Sequence, residues 1–281
     1  MCSNEYRRKK LKPKVLILRT AGTNCDTETA VAFKLAGGQT DLVHIQNLIS
    51  GKVDLSEYHI LALPGGFSYG DDIAAGILLA VEMRYKLSDV LEKFVDANKL
   101  IIGICNGFQV LVRTGLLPGL SNSKSVEDTE IPQQTTLAMN TSTKFECRWV
   151  NLNTEISQCI FTKDIKPNLY LPVAHAEGRF TAPQNVLEEL TDNKQVVFRY
   201  STDSPTSTDT VAYPDNPNGS DNNIAGICDK TGRIFGLMPH PERFLTKWNH
   251  PRWTREDLSD EGDGLMIFKN AVDYAKTTFH E

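Results

Sequence analysis

Short, nearly uninterrupted apolar runs punctuate the first half of the chain. They are KVLIL at 14–18, LVHI at 42–45, ILAL at 60–63 and LIIGI at 100–104. Runs of this length, bounded by polar or glycine-rich turns, predict strands buried on both faces. Between them lie stretches of helical character. One spans 26–36, with Asp26 or Thr27 as a cap and Gly37-Gly38 as its stop. A second, alanine-rich, spans about 73–97. A third spans 106–114 and carries Phe108, Val110, Leu111 and Val112. Strand and helix alternate, which predicts a parallel sheet with helices on both faces. In such sheets ligands collect at the carboxyl ends of the strands. Gly22, Gly65-Gly66 and Cys105 all fall at those ends.

The pattern changes after residue 134. Segments 145–152, 169–174, 195–200, 224–228 and 234–238 read as short strands without long helices between them. They predict antiparallel or mixed strands added to the same sheet. Segments 121–133, 201–223 and 246–263 are polar and read as surface loops. A helix over 264–279, with Leu265, Phe268, Val272, Ala275 and Phe279 on or near one face, closes the chain. There is no repeat and no linker. The expectation is one α/β domain over 14–281, a flavodoxin-like or Rossmann-like open, mostly parallel sheet with added antiparallel strands. Residues 1–13 read as a basic flexible tail, with Arg7, Arg8, Lys9 and Lys10 solvated.

Composition narrows the classes. The chain has 281 residues, 40% hydrophobic and 23% charged, with a net charge of −5. That balance proposes no nucleic-acid or membrane partner. The N-terminus lacks the apolar core of a secretion signal. Six cysteines are scattered without C-x-x-C pairs or zinc-like spacing. They read as reduced thiols of a cytoplasmic protein with no metal site.

The chemistry concentrates around Cys105. Gly103 and Gly107 flank it in G-x-C-x-G, between a strand and a helix. This is the thiol form of the nucleophile elbow. The helix beginning at Asn106 aims its N–H groups and positive dipole end at the sulfur, which favours the thiolate. A buried structural cysteine is the plainer reading of a lone Cys; the strand–Cys–helix frame turns the reading toward function. A thiolate nucleophile needs a base, and the base an orienting carboxylate. His240 and Glu242, in Met238-Pro239-His240-Pro241-Glu242, are suited to both roles. In an extended segment, residues two apart project to the same side. The Asn106 N–H is a natural oxyanion donor, and the glycines after Pro64 are suited to supply the second.

Leu63-Pro64-Gly65-Gly66, Gly103 to Phe108 with Gln109, and Met238 to Arg243 together resemble the class I glutamine amidotransferases. Gly22-Thr23-Asn24-Cys25-Asp26, Phe67-Ser68-Tyr69-Gly70-Asp71, Asn140-Thr141-Ser142 with Phe145-Glu146, and Pro172 to Phe180 narrow the resemblance. They are similar to the PurQ family of subunits of phosphoribosylformylglycinamidine synthase. Ala176 stands where that family's motif carries glycine. The resemblance implies the class I amidotransferase fold and a Cys105–His240–Glu242 triad. It implies a γ-glutamyl thioester on Cys105, and oxyanion donors at Gly66 and Asn106. For L-glutamine it implies contacts at Gly65, Phe67, Gln109, Ser142, Phe145 and His175. It implies a large PurL-type synthetase partner and a small PurS-type one. The ammonia would pass to the synthetase, which converts formylglycinamide ribonucleotide. ATP and magnesium would belong to that partner, since this chain has no Walker-type loop.

Rival readings remain open at this point. Cys25 is a second cysteine in a glycine-containing loop but lacks the elbow. His175, after a strand, is a candidate second base or a structural histidine. Asp71-Asp72 read as a solvated turn or helix cap. A glutaminase of another synthetase, or a non-catalytic stress or binding module on the same sheet, are the alternatives to the purine assignment. The stress-type relatives lack the late His-Pro-Glu.

Overall fold

The computed structural model describes residues 11–120, 134–202 and 211–279. The expected basic stretch at 7–10, the loop at 121–133 and part of the 201–223 loop lie outside the described residues. Nine strands form one sheet in the order β2-β1-β3-β4-β11-β10-β9-β6-β7. β1 (Lys14–Arg19), β2 (Gln39–His44), β3 (Ile60–Leu63), β4 (Leu100–Ile104) and β11 (Ile234–Leu237) run parallel. β10 (Ile224–Cys228), β9 (Val196–Ser201), β6 (Glu146–Thr154) and β7 (Asn168–His175) then add on antiparallel. The sequence pattern explains the division. β3, β4, β10 and β11 are buried at every residue, as strands covered on both faces must be. β7 alternates buried and partly exposed positions, as an edge strand with one wet face does.

Helices flank the sheet in two groups. α1 (Asp26–Leu35) packs on α7 (Leu265–Thr278), where Phe33 and Phe268 meet edge to face at 4.9 Å. α5 (Asn106–Thr114) packs on α3 (Ile77–Lys86) and covers β4 and β11. The β7 edge is closed by the segment after β11. His240 N–H donates to Pro172 O at 2.8 Å, and Tyr170 N–H donates to Asp263 Oδ2 at 2.8 Å.

The fold departs from the sequence reading in five places. The helix expected over 73–97 is two helices, α3 and α4 (Ser88–Asp96), broken at Leu87. Residues 68–76 are an irregular turn, with Tyr69, Gly70, Asp71 and Gly76 at positive φ. β2 ends at His44, whose imidazole accepts the Gln46 N–H and caps an unforeseen helix, α2 (Ile45–Ile49). Another unforeseen helix, α6 (Gln184–Asp192), follows Pro183 and buries Val186, Leu187 and Leu190. β5 (Thr136–Ala138) and β8 (Arg179–Thr181) pair as a separate two-stranded ribbon. Finally, 211–223 is not all surface loop. Asn216, Asn218 and Ser220 are buried. Asn218 Nδ2 donates to Gly178 O and Tyr200 Oη, and its Oδ1 accepts from Ser220 N–H and Oγ–H. Such polar residues read as loop because their partners are remote in sequence.

Candidate active site

Cys105 stands between β4 and α5 at φ 52°, ψ −105°, a conformation that a side chain resists. The surroundings enforce it. A Cβ on Gly107 would lie 1.9 Å from Leu63 O, and one on Gly103 would lie 2.5 Å from Gly107 O. The turn can therefore sit this tightly against β3 only with glycine on both sides of the cysteine. Cys105 N–H donates to Leu237 O at 2.8 Å, and its carbonyl accepts from Phe108 and Gln109. As the first residue of α5, Asn106 offers an N–H that no helical carbonyl can take.

His240 follows β11, from the neighbouring strand. Its Nδ1 pairs with Glu242 Oε1 at 2.7 Å, both residues buried. The expected extended His-Pro-Glu segment is not what brings them together. Residues 241–243 form a tight 3-10 turn begun by Pro241, and the turn folds Glu242 back on the ring. Burial disfavours the imidazolium, but the Glu242 carboxylate and the Cys105 sulfur outweigh it and hold His240 well above the ordinary histidine range. The Cys105 thiol donates to Ala174 O at 3.6 Å, and its sulfur also lies close enough to His240 to favour the imidazolium.

A recess of about 300 Å³ opens on the sulfur. Of the sequence-proposed residues, Gly66, Phe67, Gln109 and His175 line it together with Cys105. Gly66 has φ 145° and lies against the 22–24 loop, where a Cβ would meet Gly22 O at 2.7 Å. Gln109 is held at both ends: Oε1 accepts from Asn106 Nδ2 at 2.9 Å, and Nε2 donates to Glu177 O at 2.5 Å. Three expected contacts fall elsewhere. Gly65 is under the imidazole, where a Cβ would meet His240 Cε1 at 2.7 Å, so it supports the base and does not line the recess. Ser142 hydrogen-bonds Glu146 at 2.7 Å, outside the recess. Phe145 is half exposed and reaches only the rim, its ring 6.3 Å from that of Phe67.

Sequence reasoning missed Asp71 and Glu177, which also line the recess. Asp71 is a turn residue whose Oδ1 accepts the Gly76 N–H at the head of α3, as the helix-cap reading expects, but it is only partly exposed. Burial raises its carboxyl pKa and nearby Glu177 adds to this, while Gly76 N–H and Asn106 Nδ2 oppose it. Glu177 accepts from Ala75 N–H and lies 3.9 Å from Arg113. The signal available was their place in the Phe67–Asp71 and His175–Gly178 motifs. Ala176 is tolerated because it is absent from the positive-φ residues, and its carbonyl accepts from Asn140 N–H.

Cys25 is also close to the triad, but beneath it. Its sulfur is 3.9 Å from His240 Nδ1, accepts from Arg243 Nη2 at 3.1 Å and donates to Asn24 Oδ1 at 3.1 Å. It does not line the recess. Donor atoms of Cys25, His240 and Glu242 lie within 4.8 Å of one another, a grouping seen in metal sites. Here the Arg243 guanidinium occupies the sulfur's neighbourhood and disfavours a cation. No helix among the described residues is long and apolar enough to cross a membrane.

Residues 12–275 match the model of the CobB/CobQ-like glutamine amidotransferase domain. A phosphoribosylformylglycinamidine synthase subunit PurQ of Dehalococcoides mccartyi is 50% identical over 266 residues, covering 94% of this chain and 98% of that protein. A PurQ of Methanococcus maripaludis is 46% identical over 277 residues, covering 94% and 98%. Among solved structures, a chain of the Thermotoga maritima PurLQS structure superposes with a TM-score of 0.69 at 31% identity, covering 94% of this chain and 99% of that one. The match of the family model over residues 12–275, with 46–50% identity to PurQ proteins over 94% of this chain, means that the chain belongs to the CobB/CobQ-like glutamine amidotransferases and, within them, to the PurQ family.

Proposed function

We propose that this chain is the glutaminase subunit of a phosphoribosylformylglycinamidine synthase and supplies ammonia for the amidation of formylglycinamide ribonucleotide. The observation that carries the chemistry is the strained Cys105 at the head of α5 beside a buried His240–Glu242 pair at 2.7 Å. The fuller purine assignment draws on the PurQ relatives.

The reaction follows from the geometry. Cys105 gives its thiol proton to His240 and, as the thiolate, attacks the carboxamide carbon of L-glutamine lying in the recess. The oxygen becomes an oxyanion, held by the N–H groups of Asn106 and Gly66. His240, as imidazolium, gives its proton to the departing nitrogen, and ammonia leaves a γ-glutamyl thioester on Cys105. Water then attacks the thioester while His240 takes a proton, releasing glutamate and the thiol. Glu242 orients the ring and stabilises its charged form. Gln109, fixed by Asn106 and Glu177, presents its amide to the substrate.

The partners are a large PurL-type synthetase and a small PurS-type subunit, as in the Thermotoga maritima PurLQS assembly. ATP and magnesium are used by the synthetase, in the cytoplasm. The free subunit is a poor glutaminase, and docking of the synthetase raises its activity. The test is ammonia release from glutamine with and without the synthetase subunits, ATP and formylglycinamide ribonucleotide, for wild type and Cys105→Ala. A rise on assembly that Cys105→Ala abolishes is the expected result. Equal release by both proteins would overturn the assignment of the nucleophile. A silent wild type in a complete complex would overturn the purine role.

A further inference from the structure

His175 is buried at the end of β7 and lines the recess beside Cys105, yet the triad makes no use of it. Its protonation pattern can be read from its neighbours. Asn140 Nδ2 donates to two carbonyls, Lys144 O and His175 O, each at 2.9 Å. Asn140 Oδ1 accepts from Gly178 N–H at 3.0 Å. These contacts fix which way the amide faces. His175 Nδ1, 3.2 Å from that same Oδ1, must therefore carry the hydrogen and donate it. Gly178 lies on the ring, where a Cβ would be 2.4 Å from Nδ1 and Cε1, so the ring cannot turn over. The other nitrogen, Nε2, is left as a bare acceptor, buried and without a partner among the described residues. Burial, reinforced by the charge of nearby His240, pushes this histidine down to about 3, so it stays neutral wherever the enzyme works.

A buried, unpartnered acceptor on a residue that lines a substrate recess asks for a donor. On the reading of the recess as a glutamine site, a primary amide has N–H groups to offer and the product carboxylate has none. We propose that His175 is a specificity residue that accepts a hydrogen bond from the substrate carboxamide through Nε2, favouring glutamine over glutamate. The same lone pair repels the carboxylate formed by hydrolysis and so promotes release of glutamate. Asn140 and Gly178 are positioning residues that act through His175.

The test is steady-state glutaminase kinetics of the assembled complex, with glutamate as competitive inhibitor, for wild type, His175→Phe and His175→Gln. Alkylation of Cys105 by a diazoketone analogue of glutamine, read by mass spectrometry, is measured in parallel. That probe has a ketone in place of the amide and no N–H to offer. His175→Phe is expected to lower kcat/KM for glutamine about tenfold, the value of one buried hydrogen bond. Glutamate inhibition should tighten, and Cys105 alkylation should stay within about twofold of wild type on the same reasoning. His175→Gln, which restores an acceptor, should recover part of the loss. Parallel weakening of glutamine, glutamate and alkylation would mean a structural role and overturn the proposal, as would unchanged glutamine kinetics. If wild type neither turns over glutamine nor is alkylated at Cys105, the glutaminase reading itself fails, and the His175 role with it.

Discussion

Replacing Cys105 by glycine or by alanine separates the backbone of the elbow from its chemistry. Both substitutions delete the sulfur, and both must abolish ammonia release. They differ only in Cβ. At φ 52°, ψ −105°, a Cβ is held in a sparsely populated region, which costs on the order of 1–3 kcal/mol. Glycine escapes that cost but gains about 0.5–1 kcal/mol of additional freedom in the unfolded chain. The difference leaves Cys105→Gly more stable than Cys105→Ala by up to about 2.5 kcal/mol. In an ordinary helical position the order reverses, with glycine about 1 kcal/mol worse. Equilibrium urea unfolding of the two variants reads the sign directly, and thermal melts should separate by a few degrees. A glycine variant equal to or less stable than the alanine variant would refute the strained elbow.

Two further outcomes are expected. The folded His240 pKa is raised above its unfolded value of about 6.5, so its contribution to stability is complete below that pH and is lost as pH rises through the folded value. Urea unfolding of wild type should therefore weaken with pH above about 6.5, and Glu242→Gln should flatten that decline while lowering kcat. Cys25→Ser should keep stoichiometric alkylation at Cys105 but lower kcat several-fold, because Arg243 loses the sulfur it donates to beneath the imidazole; loss of alkylation at Cys105 would make Cys25 the nucleophile instead.

The catalytic centre was legible because its signals are local. Gly103, Cys105 and Gly107 specify a turn within five residues, and His240 with Glu242 lie two apart. Even there the route was misread: Pro241 starts a 3-10 turn and does not hold the segment extended. Most of the parallel half was legible because β1, β3, β4 and β11 read as apolar runs; β2, at the sheet edge and mostly exposed, runs over Gln39–His44 and not over the apolar 42–45. What escaped depends on distant partners. Asp71 and Glu177 are 106 positions apart, and although each lies in a motif that the family resemblance marked, no local pattern says that the two share a recess. Asn216, Asn218 and Ser220 have the composition of a loop, but they satisfy one another and the Gly178 carbonyl in the interior. α6 was hidden by its polar face, with only three buried residues to mark it.

The closure of the β7 edge has a consequence for solution behaviour. An uncovered edge strand invites pairing with a second molecule. Here His240 N–H and Asp263 occupy two of the groups along that edge, at Pro172 and Tyr170. The histidine proposed to carry the proton is thus pinned by its backbone to the β7 edge. A lesion that frees the 240–263 segment would silence the enzyme and, in the same event, expose a sticky rim, so inactivation and aggregation should arrive together.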